Sequence, residues 1–299
     1  SSAIYLNESI RFNSHFRVEL GGRRDNIIFD VKDQLPSDSL RSNYSGYNYQ
    51  TLFSPKLNMI YIVSDHLQFF LNSGKGFHSN DARSVVQEKK NHQLPQTWGA
   101  EVGSIIHIGK QIACSGAVWW MDSENELVYV GDDGNTENKG SSRRIGIDAS
   151  MRYKLYSWLF ADVDFTLSKN NFTENILGKT HATDSNSPLA PVVTSAGGFT
   201  GDFKNGMEAS IRYRYMADRP ANESNTIIAH GYTIFDASIN YKIKRFKIGL
   251  VVENLFDTKW NEAQFDTESK LPLENKAVDE LHFTPVTPFV TKVIVGYTF

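Results

Sequence analysis

The stretch Met207-Glu208-Ala209-Ser210-Ile211-Arg212-Tyr213-Arg214-Tyr215 decides the fold. Every odd position is apolar or aromatic and every even one is polar, a period of two that a helix cannot sort onto two faces. The same alternation runs from Ile145 to Lys154, from Leu159 to Ser168 with Asp162, Asp164, Thr166 and Ser168 on one face, and from Phe235 to Lys242. Each segment reads as a strand with one face in apolar surroundings and the other in water.

Working outward, short turns are expected near Asn13-Ser14, Ser64-Asp65, Gly109-Lys110, Tyr156-Ser157, Lys204-Asn205 and Lys244-Arg245. Longer polar stretches separate these hairpins, at 24–49, 79–96, 122–141, 170–190, 217–230 and 258–287. Short turns on one side and long loops on the other are the asymmetry of outer-membrane barrels. Six hairpins and a last strand, Phe289 to Phe299, predict about thirteen strands of bilayer-spanning length. Aromatics gather at Trp119-Trp120, Tyr156-Ser157-Trp158 and Tyr213-Arg214-Tyr215, as an interfacial girdle requires. The reading is all-β, an antiparallel transmembrane β-barrel. A soluble two-sheet sandwich is the alternative that alternation also permits.

Composition narrows the function. The 299 residues carry 31 Lys+Arg against 34 Asp+Glu, a formal charge of −3, which argues against a partner held by bulk positive charge such as nucleic acid. Mean hydropathy is −0.38, and no apolar run is long enough for a transmembrane helix. One cysteine, Cys114, excludes a disulfide framework and a Cys-rich metal site. The chain opens Ser1-Ser2-Ala3 without a signal-peptide pattern, so a leader was removed or the chain is a piece of something longer.

Several segments resemble the barrel of TonB-dependent outer-membrane receptors. Ser54-Pro55-Lys56-Leu57, then Ser64-Asp65 and Ser73-Gly74-Lys75-Gly76-Phe77, is similar to a hairpin of that family. Leu94-Pro95-Gln96-Thr97-Trp98-Gly99-Ala100-Glu101-Val102-Gly103 resembles the opening of its next strand, and Ser142-Arg143-Arg144-Ile145-Gly146-Ile147-Asp148 another strand start. Glu253-Asn254-Leu255-Phe256-Asp257 matches a penultimate-strand motif, and the chain closes on Tyr297-Thr298-Phe299.

The resemblance implies one partial barrel domain over 1–299, the C-terminal portion of a 22-stranded barrel, without the plug domain through which TonB acts. It implies an outer-membrane receptor and transporter of a Gram-negative bacterium that takes up a scarce bulky solute, with a ferric siderophore-type chelate first. Its partners would be membrane lipid, the TonB complex, a small-molecule ligand and the barrel-assembly machinery. That machinery would recognise the alternating terminal strand through Val295, Tyr297 and Phe299. The terminal strand must pair with a first strand, because an open edge in lipid leaves backbone groups unpaired. A structural or adhesive barrel without transport is the competing function.

No HExxH, GxSxG, P-loop or CxxC pattern is present, so no enzyme chemistry or cofactor is expected. Gly74-Lys75-Gly76 lacks the context of a dinucleotide site, and Asp132-Asp133-Gly134-Asn135-Thr136-Glu137 lacks the full spacing of a calcium loop. His78 and His92 flank an outer loop where haem-acquiring members place an iron ligand; here the segment reads Phe77-His78-Ser79-Asn80, and an ordinary solvated histidine is the other reading. Arg143, Arg144, Arg212 and Arg214 could receive an anionic chelate, or could instead pair with lumen carboxylates such as Asp162 or Glu208.

Overall fold

The computed structural model describes residues 1–34, 45–78, 82–87, 94–124, 127–130, 135–138, 140–173, 185–203 and 205–299. One antiparallel sheet dominates. Its strands are β1 (Ser2–Arg11), β2 (Phe16–Val31), β3 (Gly46–Ser64), β4 (Leu67–Phe77), β5 (Gln96–Ile108), β6 (Ile112–Ser123), β7 (Ser142–Lys154), β8 (Leu159–Phe172), β9 (Val193–Phe203), β10 (Met207–Met216), β11 (Tyr232–Ile243), β12 (Phe246–Glu253) and β13 (Val290–Tyr297). They lie side by side in chain order, so each strand pairs with its sequence neighbour in a meander of thirteen. The six short turns fall on one rim, where the sequence places them; Lys204 lies outside the described residues.

The opposite rim carries the long connections. Three fold into small hairpins, Leu127–Val130 with Asn135–Asn138, Arg219–Pro220 with Ile228–Ala229, and Asn261–Ser269 with Val278–Pro285. The expected loop at 24–49 is shorter than its reading. β2 and β3 run to Val31 and from Gly46, pairing continuously from Phe16↔Tyr61 to Val31↔Gly46. The outer ends of this ribbon stay ordered because Ile27, Phe29 and Leu52 pack with Phe77, Leu94 and Val85 of the short helix Ala82–Gln87. Gln50 Oε1 accepts from Leu94 N at 2.7 Å, and Asn48 Nδ2 donates to Val85 O at 2.8 Å.

The terminal motif has a geometric explanation. Asn254 sits in the left-handed region at φ 51°, where a short amide side chain is tolerated. Its backbone N donates to Asp236 Oδ1 on β11, its Oδ1 accepts from Thr258 N, and its Nδ2 donates to Thr258 O and Thr287 O. Asp257 Oδ1 then accepts from Phe289 N, which delivers the chain into β13.

Alternation holds across the sheet. Ile147, Leu167, Phe199, Ile211, Ile239, Leu250 and Val293 lie exposed on one face, and the charged side chains of the strand centres lie on the other. Among the described residues the sheet is open: β1 pairs only with β2 and β13 only with β12, so the terminal strand does not pair with the first strand of this chain. Among the described residues no helix is long and apolar enough to cross a membrane.

Candidate functional site

The polar face is a wall of paired charges. Arg212 of β10 reaches across β9 to Asp162 of β8 with both guanidinium nitrogens, Nη2 standing 2.7 Å from Oδ2. Gly198 is the residue between them in the register, so no side chain of β9 interrupts the pair. Arg152 Nη2 holds both oxygens of Asp164 at 2.9 Å, Thr166 Oγ1 donates to Asp148 at 2.7 Å, and Asn72 Nδ2 donates to Glu101 at 2.8 Å. Ser210 and Ser238 share a hydroxyl bond of 2.8 Å, and Arg214 stands 3.4 Å from Asp236. A wall whose charges are satisfied sideways stays hydrated and presents fixed dipoles to whatever passes.

Among the cavities on this face, two lie side by side. The larger, of about 920 Å³, has a floor of glycines: Gly21, Gly74 and Gly99 stand in one register row with Asn7, Lys56 and Met121. Lys56, Asn72, Glu101 and Trp119 rise around it. The second, of about 470 Å³, lies between Trp119, Met121 and Arg144 and an inward strap, Ser187 to Pro191. The strap is pinned to the wall by Ser168 Oγ donating to Pro191 O at 2.7 Å and by Ser187 N donating to Asn170 O at 3.1 Å. Trp119 borders both cavities. Its indole lies flat over Gly146 of β7, where an added Cβ would stand 2.3 Å from the ring, and its Nε1 is buried with no hydrogen-bond partner among the described residues. Among the described residues no His, Cys, Asp or Glu cluster could hold a metal ion. The chemistry on offer is noncovalent: an indole face, guanidinium and ammonium donors, carboxylate and amide acceptors.

The chain matches the family model described as "TonB dependent receptor-like, beta-barrel" over residues 1–255. It belongs to that family. Solved structures with the same fold include the siderophore receptor PiuA from Acinetobacter baumannii (14% identity, TM-score 0.75) and the ferric yersiniabactin uptake receptor FyuA from Yersinia pestis (13%, 0.73). The copper transporter OprC is another (14%, 0.75). The alignments cover 99% of this chain and 42%, 45% and 49% of those chains, so this chain spans less than half their length.

As a TonB-dependent receptor barrel the chain is an outer-membrane protein of a Gram-negative bacterium; its polar face is the lumen wall and its apolar face points outward. The residues singled out from sequence separate on this frame. Arg144 faces the lumen at the outer cavity, and Arg212 and Arg214 face the lumen deeper along β10, in the pairs described. Arg143 has the opposite parity: it points to the outside and forks Asp122 through Nε and Nη2, both at 2.8 Å. His78 is exposed just past β4, its backbone N donating to Pro95 O; His92 and the run 131–134 lie outside the described residues. Val295 and Tyr297 lie on the outward apolar face, and Tyr297 packs between Phe246 and the fully exposed Phe299 at ring distances of 4.9 and 5.2 Å. Trp119 was missed by sequence reasoning because Trp119-Trp120 reads as an interfacial pair. The two rings fall on opposite faces of β6, and counting parity from Ile147 across the register assigns Trp119 to the lumen.

Proposed function

We propose that this chain is wall of a TonB-energised importer that takes up a bulky scarce solute, with an anionic ferric chelate of the siderophore class as the first candidate. The observation that carries the reading is the lumen face itself: a hydrated, internally paired wall with a partly unsatisfied tryptophan and a guanidinium at its outer cavity. Such a surface suits transient recognition of a polar ligand rather than covalent turnover. The structural neighbours, a siderophore receptor, a ferric yersiniabactin uptake receptor and a copper transporter, support metal-related cargo. In this reading Arg144 and Trp119 meet the ligand at the outer mouth. Arg212 and Arg214 line its path, and His78 sits at the loop edge. TonB acts through a plug domain, and Val295, Tyr297 and Phe299 address the barrel-assembly machinery.

The test is uptake of iron-55 by cells carrying the full-length receptor, supplied with catecholate, hydroxamate and citrate chelates in turn. One chelate should be accumulated, uptake should vanish in a host lacking TonB, and Trp119→Ala with Arg144→Ala should lower it about tenfold or more. No accumulation of any chelate, with surface adhesion retained, would replace transport by the adhesive reading. Phe299→Ser should separately lower the amount of receptor reaching the outer membrane.

A further inference from the structure

The outer ends of β10 and β11 carry a small hairpin whose register continues theirs, from Met216↔Tyr232 to Arg219↔Ala229. It is held from two sides. Leu189 N of the strap donates to Pro220 O at 2.7 Å, and the Gln264 side chain brackets His230, accepting from its N and donating to its O, both at 2.8 Å. Cross-strand partners share a face, as do residues two apart, so Arg219, Ala229 and Ala221 lie on one face of the hairpin. That face is closed off: Arg219 is 7% exposed, Ala221 5% and Ala229 0%.

Arg219 inverts the pattern of the wall. Arg23, Arg143, Arg152 and Arg212 each grip both oxygens of an aspartate, although their side chains are 40–55% exposed. The buried guanidinium has no such partner. Among the described residues it makes no hydrogen bond or ion pair, and its Nη1 is fully enclosed. Burial pushes its pKa below the ordinary arginine value. Its neighbour Asp218 is exposed, and there Oδ1 accepts from Gly231 N at 2.6 Å. Tyr232, whose phenol lies close enough to act on the Arg219 charge, packs at 4.5 Å against Trp260, and the Trp260 Nε1 is likewise buried without a partner. One orphaned carboxylate oxygen belongs to the next strand: Asp266 Oδ1, two residues past Gln264, is buried and makes no hydrogen bond among the described residues.

A guanidinium cannot escape burial by giving up its proton, so enclosing it unpaired is strongly unfavourable, and a bound counter-ion removes that cost. We propose that Arg219 anchors an occluded binding site for a small monovalent inorganic anion of chloride size. One guanidinium matches one negative charge, whereas a divalent phosphate or sulfate would bring a second charge into the same low-dielectric cluster. The enclosure of Arg219 beside Ala221 and Ala229 admits no bulky anion, which separates this site from the cargo cavities of the lumen. The ion is a fixed part of the wall: it completes the packing through which the strap and the two outer hairpins hold one another.

The test uses full-length receptor in mild detergent, with amide hydrogen exchange read by mass spectrometry over peptides containing Leu189, Ala221, His230 and Gly231, whose N–H groups make the hairpin contacts. Exchange should be about tenfold slower in about 0.2 M sodium chloride than in the same concentration of sodium gluconate, whose anion is too bulky to enter, as a dissociation constant near ~20 mM gives. Arg219→Met keeps the volume and removes the charge, so its exchange should be equal in the two salts. Folding is checked by heat-modifiable gel mobility; if Arg219→Met fails it, Arg219→Gln takes its place. Asp266→Asn should keep the chloride response. Independently of any variant, crystals of the native receptor grown in bromide should show an anomalous peak within hydrogen-bond reach of the Arg219 guanidinium. Native exchange within about twofold in the two salts, a response that survives removal of the Arg219 charge, or no bromide at Arg219 would each overturn the proposal. Loss of the response in Asp266→Asn would overturn it too, by making Asp266 the counter-charge.

Discussion

Individual residues carry this wall where a side chain is missing or bent to one use. Gly146 lets Trp119 lie flat on the lumen wall, so Gly146→Val should force the ring away and lower stability by about 1–3 kcal/mol. Urea titration of the refolded full-length receptor would show it, and Trp119→Ala in the same background should recover half the loss or more. Asn254 is a second such residue. Four hydrogen bonds and a positive φ converge on it, so Asn254→Ala should cost about 2–3 kcal/mol through orphaned carbonyl and amide partners and left-handed strain. Hydrogen exchange localised to β12 and β13 is the matching readout. The resemblance read from Glu253 to Asp257 identified this stretch as a motif; its physical content, a knot joining β11, β12 and the approach to β13, is visible only when Asp236, Thr287 and Phe289 are brought beside it.

At the scale of a strand, parity sets the cost of every substitution. Ile211 is outward and four residues above the inner-rim Met207, near the middle of the apolar band, whereas Ser210 is inward and bonded to Ser238. Ile211→Arg should therefore destabilise the refolded receptor by about 2–4 kcal/mol, and Ser210→Arg by about 1 kcal/mol, mostly for the lost hydroxyl pair. Equal losses in parallel refolding titrations would contradict the facing of β10. Strand identity was legible in the sequence because the period of two is local. Strand length was not legible for β2 and β3, whose outer halves look like loop. Their order comes from Leu52, Val85 and Leu94, residues more than forty positions apart at the extremes that meet on the inner side.

For the whole molecule, the two unpaired edges decide behaviour. β1 and β13 each present a row of free backbone groups, and in lipid such groups cost several kcal/mol apiece. These 299 residues expressed alone in detergent should associate edge to edge, and light scattering should return a mass above one copy; a stable monomer would count against the open sheet. The alternation, the six tight turns, the thirteen-strand meander and the lipid-facing side were determined by sequence alone, since each depends on neighbours within a few residues. Only the tertiary structure decided that Arg212 takes Asp162, fifty residues away, and that Arg143 and Arg144, adjacent in sequence, serve opposite sides of the wall. It also decided that Trp119 belongs to the lumen. The reason is register: period two assigns a face, but the partner across a strand is set by the accumulated stagger of every turn between them.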